Sequence, residues 1–151
     1  MRRHEKEIND QAEIEEVINN SLVCRLAVAD ENRPYIVPVS FGYENMIFYF
    51  HGAKKGKKLD ILKKNLRVCI ELDTGAEIVR NSKPCLFGMN YKSVIAFGNV
   101  SFIDEPKEKK QALNIIMKKY SGREFLFDEA MLKATEVFMV KIHEMTGKKS
   151  G

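Results

Sequence analysis

Apolar and polar positions alternate along this chain in a way that reads as one short helix, a long run of strands, and a late helix before a last strand. Ile14, Val17 and Ile18 recur at helical spacing behind an Asp10-x-x-Glu13 opening, which predicts an amphipathic helix over about residues 11–20. The period then shortens to that of strands. Leu22 to Ala29 is apolar and partly β-branched, and Asp30-Glu-Asn-Arg-Pro34 is turn chemistry. Tyr35 to Phe41, a Gly42-Tyr-Glu-Asn45 turn and Met46 to His51 follow, so the stretch reads as a three-stranded meander. Pro38 falls inside the second of these strands. Proline cannot donate to a sheet ladder, so this strand should lie at an edge or face something other than a neighbouring strand, such as a ligand.

Further on, Lys57 to Asn65 is helix-like and Arg67 to Leu72 reads as a fourth strand. Asp73 to Lys83 is polar and reads as a loop, and Pro84 to Tyr91 and Lys92 to Ile103 read as two more strands. Asp104-Glu-Pro106 opens a helix with apolar positions at Ala112, Leu113, Ile116, Met117 and Tyr120, and Ser121-Gly122 ends it. A weaker helical stretch near Asp128 to Lys133 precedes an alternating strand from Val137 to Glu144, and residues 145–151 are expected to be a disordered tail. About seven short strands with marginal helices predict a closed or partly closed antiparallel barrel: a mainly β fold with peripheral helices in one domain, 1–151.

The length of 151 residues gives one core, and it leaves little depth for burying a large cofactor inside a single copy. A site shared between two copies would remove that difficulty. No segment reads as a signal peptide or a membrane span. Cys24, Cys69 and Cys85 are far apart and have apolar neighbours, which predicts free thiols in a reducing cytoplasm and neither a disulfide frame nor a metal site. The net charge of +4 is unevenly placed: Lys54, Lys55, Lys57, Lys58, Lys63 and Lys64 fall in one short stretch. Such a cluster points to a discrete anionic ligand more than to a face adapted to nucleic acid, and no nucleic-acid partner is expected.

Candidate chemistry concentrates in His51-Gly-Ala-Lys-Lys-Gly-Lys-Lys58, which leaves a strand and enters a helix. Glycine lets backbone N–H groups approach phosphate oxygens and lysine supplies charge, so the stretch reads either as a phosphate site or as a solvated, lysine-rich helix start. It is not a nucleotide-binding P-loop, because Gly52 and Gly56 are too close and Lys58 stands where a magnesium-binding hydroxyl belongs. His51, beside this loop, is either a structural hydrogen-bonding residue or a catalytic one. His4 and His143 lie far from it in the sequence, and no metal-ligand spacing occurs. No nucleophile elbow or paired-carboxylate pattern is present, so an organic cofactor would have to supply any difficult chemistry.

The ordered set of these segments resembles the flavin-binding split-barrel superfamily of pyridoxamine-phosphate-oxidase-like proteins, and within it the branch associated with resistance to 5-nitroimidazole antibiotics. The resemblance rests on Arg2-Arg3 with Ile8, Cys24-Arg25-Leu26-Ala27, Arg33-Pro34-Tyr35-Ile-Val-Pro38-Val-Ser-Phe41 and Phe48-Tyr-Phe-His51-Gly-Ala53. It continues through Gly56-Lys57-Lys58-Leu59-Asp60, Tyr91-Lys-Ser-Val94 and Phe97-Gly98. It implies an antiparallel six-stranded split barrel that dimerises, with one FMN at each end of the interface. It further implies that Val37, Pro38, Val39, Ser40 and Phe41 line the flavin. His51, Ala53, Lys57 and Lys58 would lie by its phosphate and ribityl chain, and Tyr91, Lys92 and Ser93 would approach from the next strands. Lys57 and Lys58 would hold the phosphate with Ser40 and Ser93 as hydroxyl donors, and His51 is the candidate catalytic residue. The implied activity is FMN-dependent reduction of a small acceptor, such as a nitroaromatic or quinone, with electrons from a nicotinamide. The alternatives are a non-catalytic flavin- or haem-binding protein and a reductase using the deazaflavin F420. The chain departs from pyridoxamine-phosphate oxidases proper in having no arginine after Arg123 and in carrying Tyr49-Phe-His-Gly52 where they have Tyr-Thr-Asn-Tyr. Vitamin B6 synthesis is therefore not expected.

Overall fold

The computed structural model describes residues 4–151; the Arg2-Arg3 pair lies outside the described residues. After a single 3-10 turn and the two-residue strand β1 (Glu7–Ile8), helix α1 runs Gln11–Asn20, and the Asp10 carboxylate accepts from the Ala12 N–H at 3.0 Å. Strands β2 (Cys24–Asp30), β3 (Arg33–Val39), β4 (Gly42–Glu44) and β5 (Ile47–Ala53) follow, then helix α2 (Lys57–Leu62). Long strands β6 (Arg67–Val79) and β7 (Gly88–Phe102) precede helices α3 (Pro106–Ser121) and α4 (Glu129–Ala134) and the last strand β8 (Thr135–Ser150). Pro106 opens α3 and Gly122, at φ 72°, closes it in the left-handed conformation that glycine adopts most cheaply.

The sheet order is β3-β2-β6-β7-β8-β5-β4, all antiparallel, with β1 added to β8. The two ends of the sheet, β3 and β4, are joined in sequence by only Ser40 and Phe41. The sheet must therefore curl until its ends meet, and it closes as a barrel with one seam that carries no ladder. Six of its strands (β2, β3, β5, β6, β7, β8) are long, which is the split barrel expected from the sequence. Inward positions of these strands, among them Leu26, Phe48, Phe50, Ile70, Val94 and Phe138, form the core together with Ile14, Val17 and Ile18 of α1. Phe50 and Phe138 stack at 5.1 Å between ring centroids. A second, smaller core lies where Ala112, Leu113 and Leu132 of α3 and α4 cover Ile103 and Val137.

Four expectations are corrected. The meander fails because β3 does not pair with β5: β3 pairs only with β2, and β5 pairs with β4 and β8. Asp73 to Val79 continues β6, so the expected loop shrinks to the turn after it. Pro84–Leu86 is a 3-10 turn, and the two strands expected over 84–103 are one strand, β7. The tail is not disordered. Residues 145–150 complete β8, pairing with β7 from Ala96↔Met145 to Tyr91↔Ser150, and Gly147 and Lys148 pair with β1. Gly147 is required there, since a Cβ would lie 2.9 Å from both Ile8 and Ile14.

Candidate functional site

Proline at 38 makes β3 an edge strand, as its missing N–H predicts, and the free edge opens onto a pocket of about 380 Å³. Val37, Pro38 and Val39 form one wall, Ala53 closes the end of β5, and Lys55, Lys57 and Lys58 form the opposite rim. Two sequence segments that were singled out separately therefore meet in one place. The cause is topological: β3 and β5 lie on opposite arms of the sheet, and closure of the barrel brings them face to face.

The electrostatics of this pocket are unbalanced. Among the described residues no carboxylate pairs with Lys57 or Lys58. Lys57 Nζ stands 4.6 Å above the Tyr35 ring, and Lys58 Nζ lies 5.9 Å from the Phe138 ring centroid at the barrel mouth. Partial burial holds the Lys58 ammonium below its usual pKa. A half-buried cation with no anion beside it gains from pairing with one. Helix α2 is only six residues long, so the lysines and not its N-terminus carry the charge for an anion.

His51 does not line the pocket. It projects from β5 opposite Val137 of β8, partly open to solvent and partly covered, while its neighbour Gly52 faces Lys58. Desolvation and then the Lys58 charge hold the imidazole pKa below its ordinary value. Lys58 is thus the link between His51 and the pocket.

Other expected site residues are placed differently. Phe41 is 0% exposed and packs on Phe48 at 5.4 Å, so its side chain belongs to the core and cannot line a surface ligand. Ser40 is exposed on the linker between β3 and β4, outside the pocket lining. Tyr91, Lys92 and Ser93 stand at the other end of the barrel. His51 pairs with Val137 and Tyr91 with Ser150 on the same strand β8, a separation on the order of 40 Å along an extended chain. There Lys92 is committed to Glu13 at 3.0 Å, and Tyr91 Oη accepts from Lys148 Nζ at 2.8 Å. One chain therefore gathers Val37, Pro38, Val39, Ala53, Lys57 and Lys58, and leaves Tyr91 to Ser93 apart.

Sequence reading missed two residues that position this site. Tyr120 Oη accepts from the Phe41 N–H at 2.9 Å and donates to the Leu22 carbonyl at 2.8 Å, bridging the chain beside the seam. Lys119 Nζ donates to the carbonyls of Ile18 and Asn19 and stands 4.5 Å over the Phe41 ring. Only the helical period of α3 was legible, and it gives no sign of where the helix ends dock. Two other hollows are less suited to an anion. A groove of about 700 Å³ along α3 mixes Glu44, Glu108 and Glu124 with its lysines. In the hollow of about 430 Å³ between α1 and the end of β8, Lys92 and Lys149 are both paired with Glu13.

Comparison with known proteins bears on this geometry. A family model described as pyridoxamine 5'-phosphate oxidase matches residues 10–149. A crystal structure of a candidate 5-nitroimidazole antibiotic resistance protein from Bacteroides thetaiotaomicron is 35% identical over 95% of this chain and 86% of that one, with a TM-score of 0.86. The flavocytochrome Anf3 from Azotobacter vinelandii shares the fold at 19% identity and a TM-score of 0.86, over 100% of this chain and 72% of that one. An FAD and haem binding protein from Mycobacterium smegmatis does so at 16% identity and 0.87, over 96% and 73%. No functionally curated protein matches the chain. The family model spans nearly all of the barrel, the 35%-identical structure has the same fold, and the chain belongs to the pyridoxamine 5'-phosphate oxidase-like split-barrel family.

Proposed function

We propose that this protein is an FMN-dependent oxidoreductase that works as a homodimer and reduces a small acceptor, such as a nitroaromatic or a quinone. The observation that carries this reading is the unneutralised Lys57–Lys58 pair beside the free edge of β3. Bound flavin supplies hydride and electron transfer between a reduced nicotinamide and the acceptor. Lys57 and Lys58 would hold the phosphate, and the flat wall of Val37 to Val39 would orient the ring system. The Lys58 ammonium, already poorly hydrated, would lose little further solvation on pairing with an anion. His51 is neutral near pH 7, because its pKa is held down, and presents one N–H and one ring-nitrogen acceptor outside the pocket, on the side of Lys58.

Two features support a shared site. The pocket of about 380 Å³ is near the lower end of the range for ligand sites, about 300–1,000 Å³. Tyr91, Lys92 and Ser93 stand at the far end of the same chain, where a twofold-related copy would be needed to bring them to the cofactor. Among the described residues no helix is long and apolar enough to cross a membrane. The three cysteines form no disulfide, which fits the reducing cytoplasm we propose as the protein's compartment.

Steady-state oxidation of NADH or NADPH by the FMN-loaded protein, with nitroimidazole and quinone acceptors, tests the activity. Turnover well above that of free FMN is expected. Bound flavin without turnover on any acceptor would replace this reading with that of a non-catalytic flavin carrier.

A further inference from the structure

Six lysines fall between residues 54 and 64, and the fold sorts them. Lys54, Lys55 and Lys63 are exposed, and Lys64 reaches Asp30 at 3.7 Å. Of the six, Lys57 and Lys58 are the ones that stand over aromatic rings, 4.6 Å from Tyr35 and 5.9 Å from Phe138. The two rings come from different strands, β3 and β8. Lys58 is already fixed by its partial burial at the barrel mouth. Lys57 is exposed at the start of α2, and among the described residues no carboxylate comes within ion-pair reach of it. A lysine so placed has a flexible four-carbon stem and strongly hydrated charge, and nothing but the ring below it limits where the charge goes.

Tyr35 is held from its other side. It lies in β3 opposite the buried Val28 and packs against the main core. Alternation along β3 puts Tyr35, Val37 and Val39 on one face, and all three line the pocket. The ring is thus a fixed part of the pocket wall, with an otherwise loose lysine standing over it. Its negative face attracts the ammonium from one side and leaves the other side to an anion.

We propose that Tyr35 is a positioning residue for the anion site: its ring face holds Lys57 over the pocket, so that the ammonium meets the ligand's phosphate with its position already set. Tyr35 acts through Lys57, and it favours a ligand ending in a phosphate monoester over the same ligand without one. The inference rests on the phosphate role of Lys57 proposed above.

The quantity that reads this role is phosphate discrimination, the ratio of the riboflavin Kd to the FMN Kd, measured by fluorescence titration of the full chain. Tyr35→Phe keeps the ring face and drops the hydroxyl, so it should discriminate as the wild type does. Tyr35→Leu keeps apolar bulk and drops the face, and its discrimination should fall roughly three- to tenfold. In a Lys57→Met background the same Tyr35→Leu change should lower discrimination no further, because the two residues act as one unit. Pentafluorophenylalanine at position 35 keeps the ring's shape and reverses its quadrupole. It should discriminate no better than Tyr35→Leu, and it serves as the test if leucine weakens the fold. A wild type that binds FMN no more tightly than riboflavin would overturn the phosphate reading and the role of Tyr35 together. A wild type that discriminates, with the same ratio in the leucine and fluorinated variants, would overturn the role of Tyr35 alone. So would an equal loss in Tyr35→Phe, or a loss that persists in the Lys57→Met background.

Discussion

Tyr120 and Phe41 are joined across the seam of the barrel: the Phe41 N–H donates to Tyr120 Oη at 2.9 Å, and the same hydroxyl donates to the Leu22 carbonyl at 2.8 Å. No ladder joins β3 and β4 at this point, although only two residues part them: β3 pairs with β2 and β4 with β5. A side chain from α3 therefore satisfies the backbone that the missing ladder leaves open.

Tyr120→Phe removes both hydrogen bonds and leaves the Phe41 N–H without its partner. A cost of about 1–3 kcal/mol follows from stranding a part-buried donor. Urea denaturation followed by circular dichroism measures it. Because Phe41 anchors the segment that begins at Val37, flavin affinity should fall in the same variant even where it is fully folded.

Lys57→Ala and Lys58→Ala are expected to weaken FMN binding by about 1.5–3 kcal/mol each, the worth of a charge-assisted contact, while leaving the fold intact. Lys58→Ala should have the larger effect, since its ammonium is the more desolvated. Fluorescence titration with FMN gives the affinity. Riboflavin, which lacks the phosphate, should bind the wild type and the double variant about equally.

His51 gives a pH signature. Its folded pKa lies below the ordinary value of about 6.5, so the unfolded chain binds the proton more readily. Stability from this group is present above about pH 6.5 and is lost as pH falls toward the folded pKa. The His51 ring resonances should titrate below 6.5 by NMR. In Lys58→Met the midpoint should move upward, because one of the two causes of the depression is the Lys58 charge.

Deleting residues 145–151 tests the last strand. The deletion removes the pairs from Ala96↔Met145 to Tyr91↔Ser150 and all of β1's partners, and it exposes Ile8 and Ile14 where Gly147 packs. A loss of several kcal/mol is expected from uncovering two buried aliphatic side chains and a strand edge, on the order of 1.5–3 kcal/mol for each side chain. Thermal unfolding of the truncated chain reads it, and an unchanged midpoint would mean that the tail is not part of the sheet.

What was legible in the sequence was local. Asp10 and Glu13 mark the start of α1, Pro106 and Gly122 bracket α3, and Pro38 identifies an edge strand, because each is a property of one residue and its near neighbours. Strand adjacency was not legible: whether β5 lies beside β3 or β8 depends on how the whole sheet closes. The 73–79 segment reads as a loop because it is polar, and it is a strand because it pairs along a projecting ribbon that needs no apolar face of its own. The Gly147-Lys-Lys-Ser150 tail has no apolar period and is held by β7 and by packing on Ile8 and Ile14. Within the site, Val37 to Val39 and Lys57 to Lys58 could be paired because the family resemblance joined them. Phe41 was misplaced because a strand's alternation does not extend through the Ser40–Phe41 linker.

The visible absorption spectrum of the purified protein, taken with the mass of whatever it releases on denaturation, tests the central claim most directly. A flavin spectrum, with FMN as the released species or FMN taken up tightly on addition, is the predicted result. A colourless protein that binds no added FMN would contradict the account, leaving the split barrel and its lysine-rimmed pocket without the proposed chemistry.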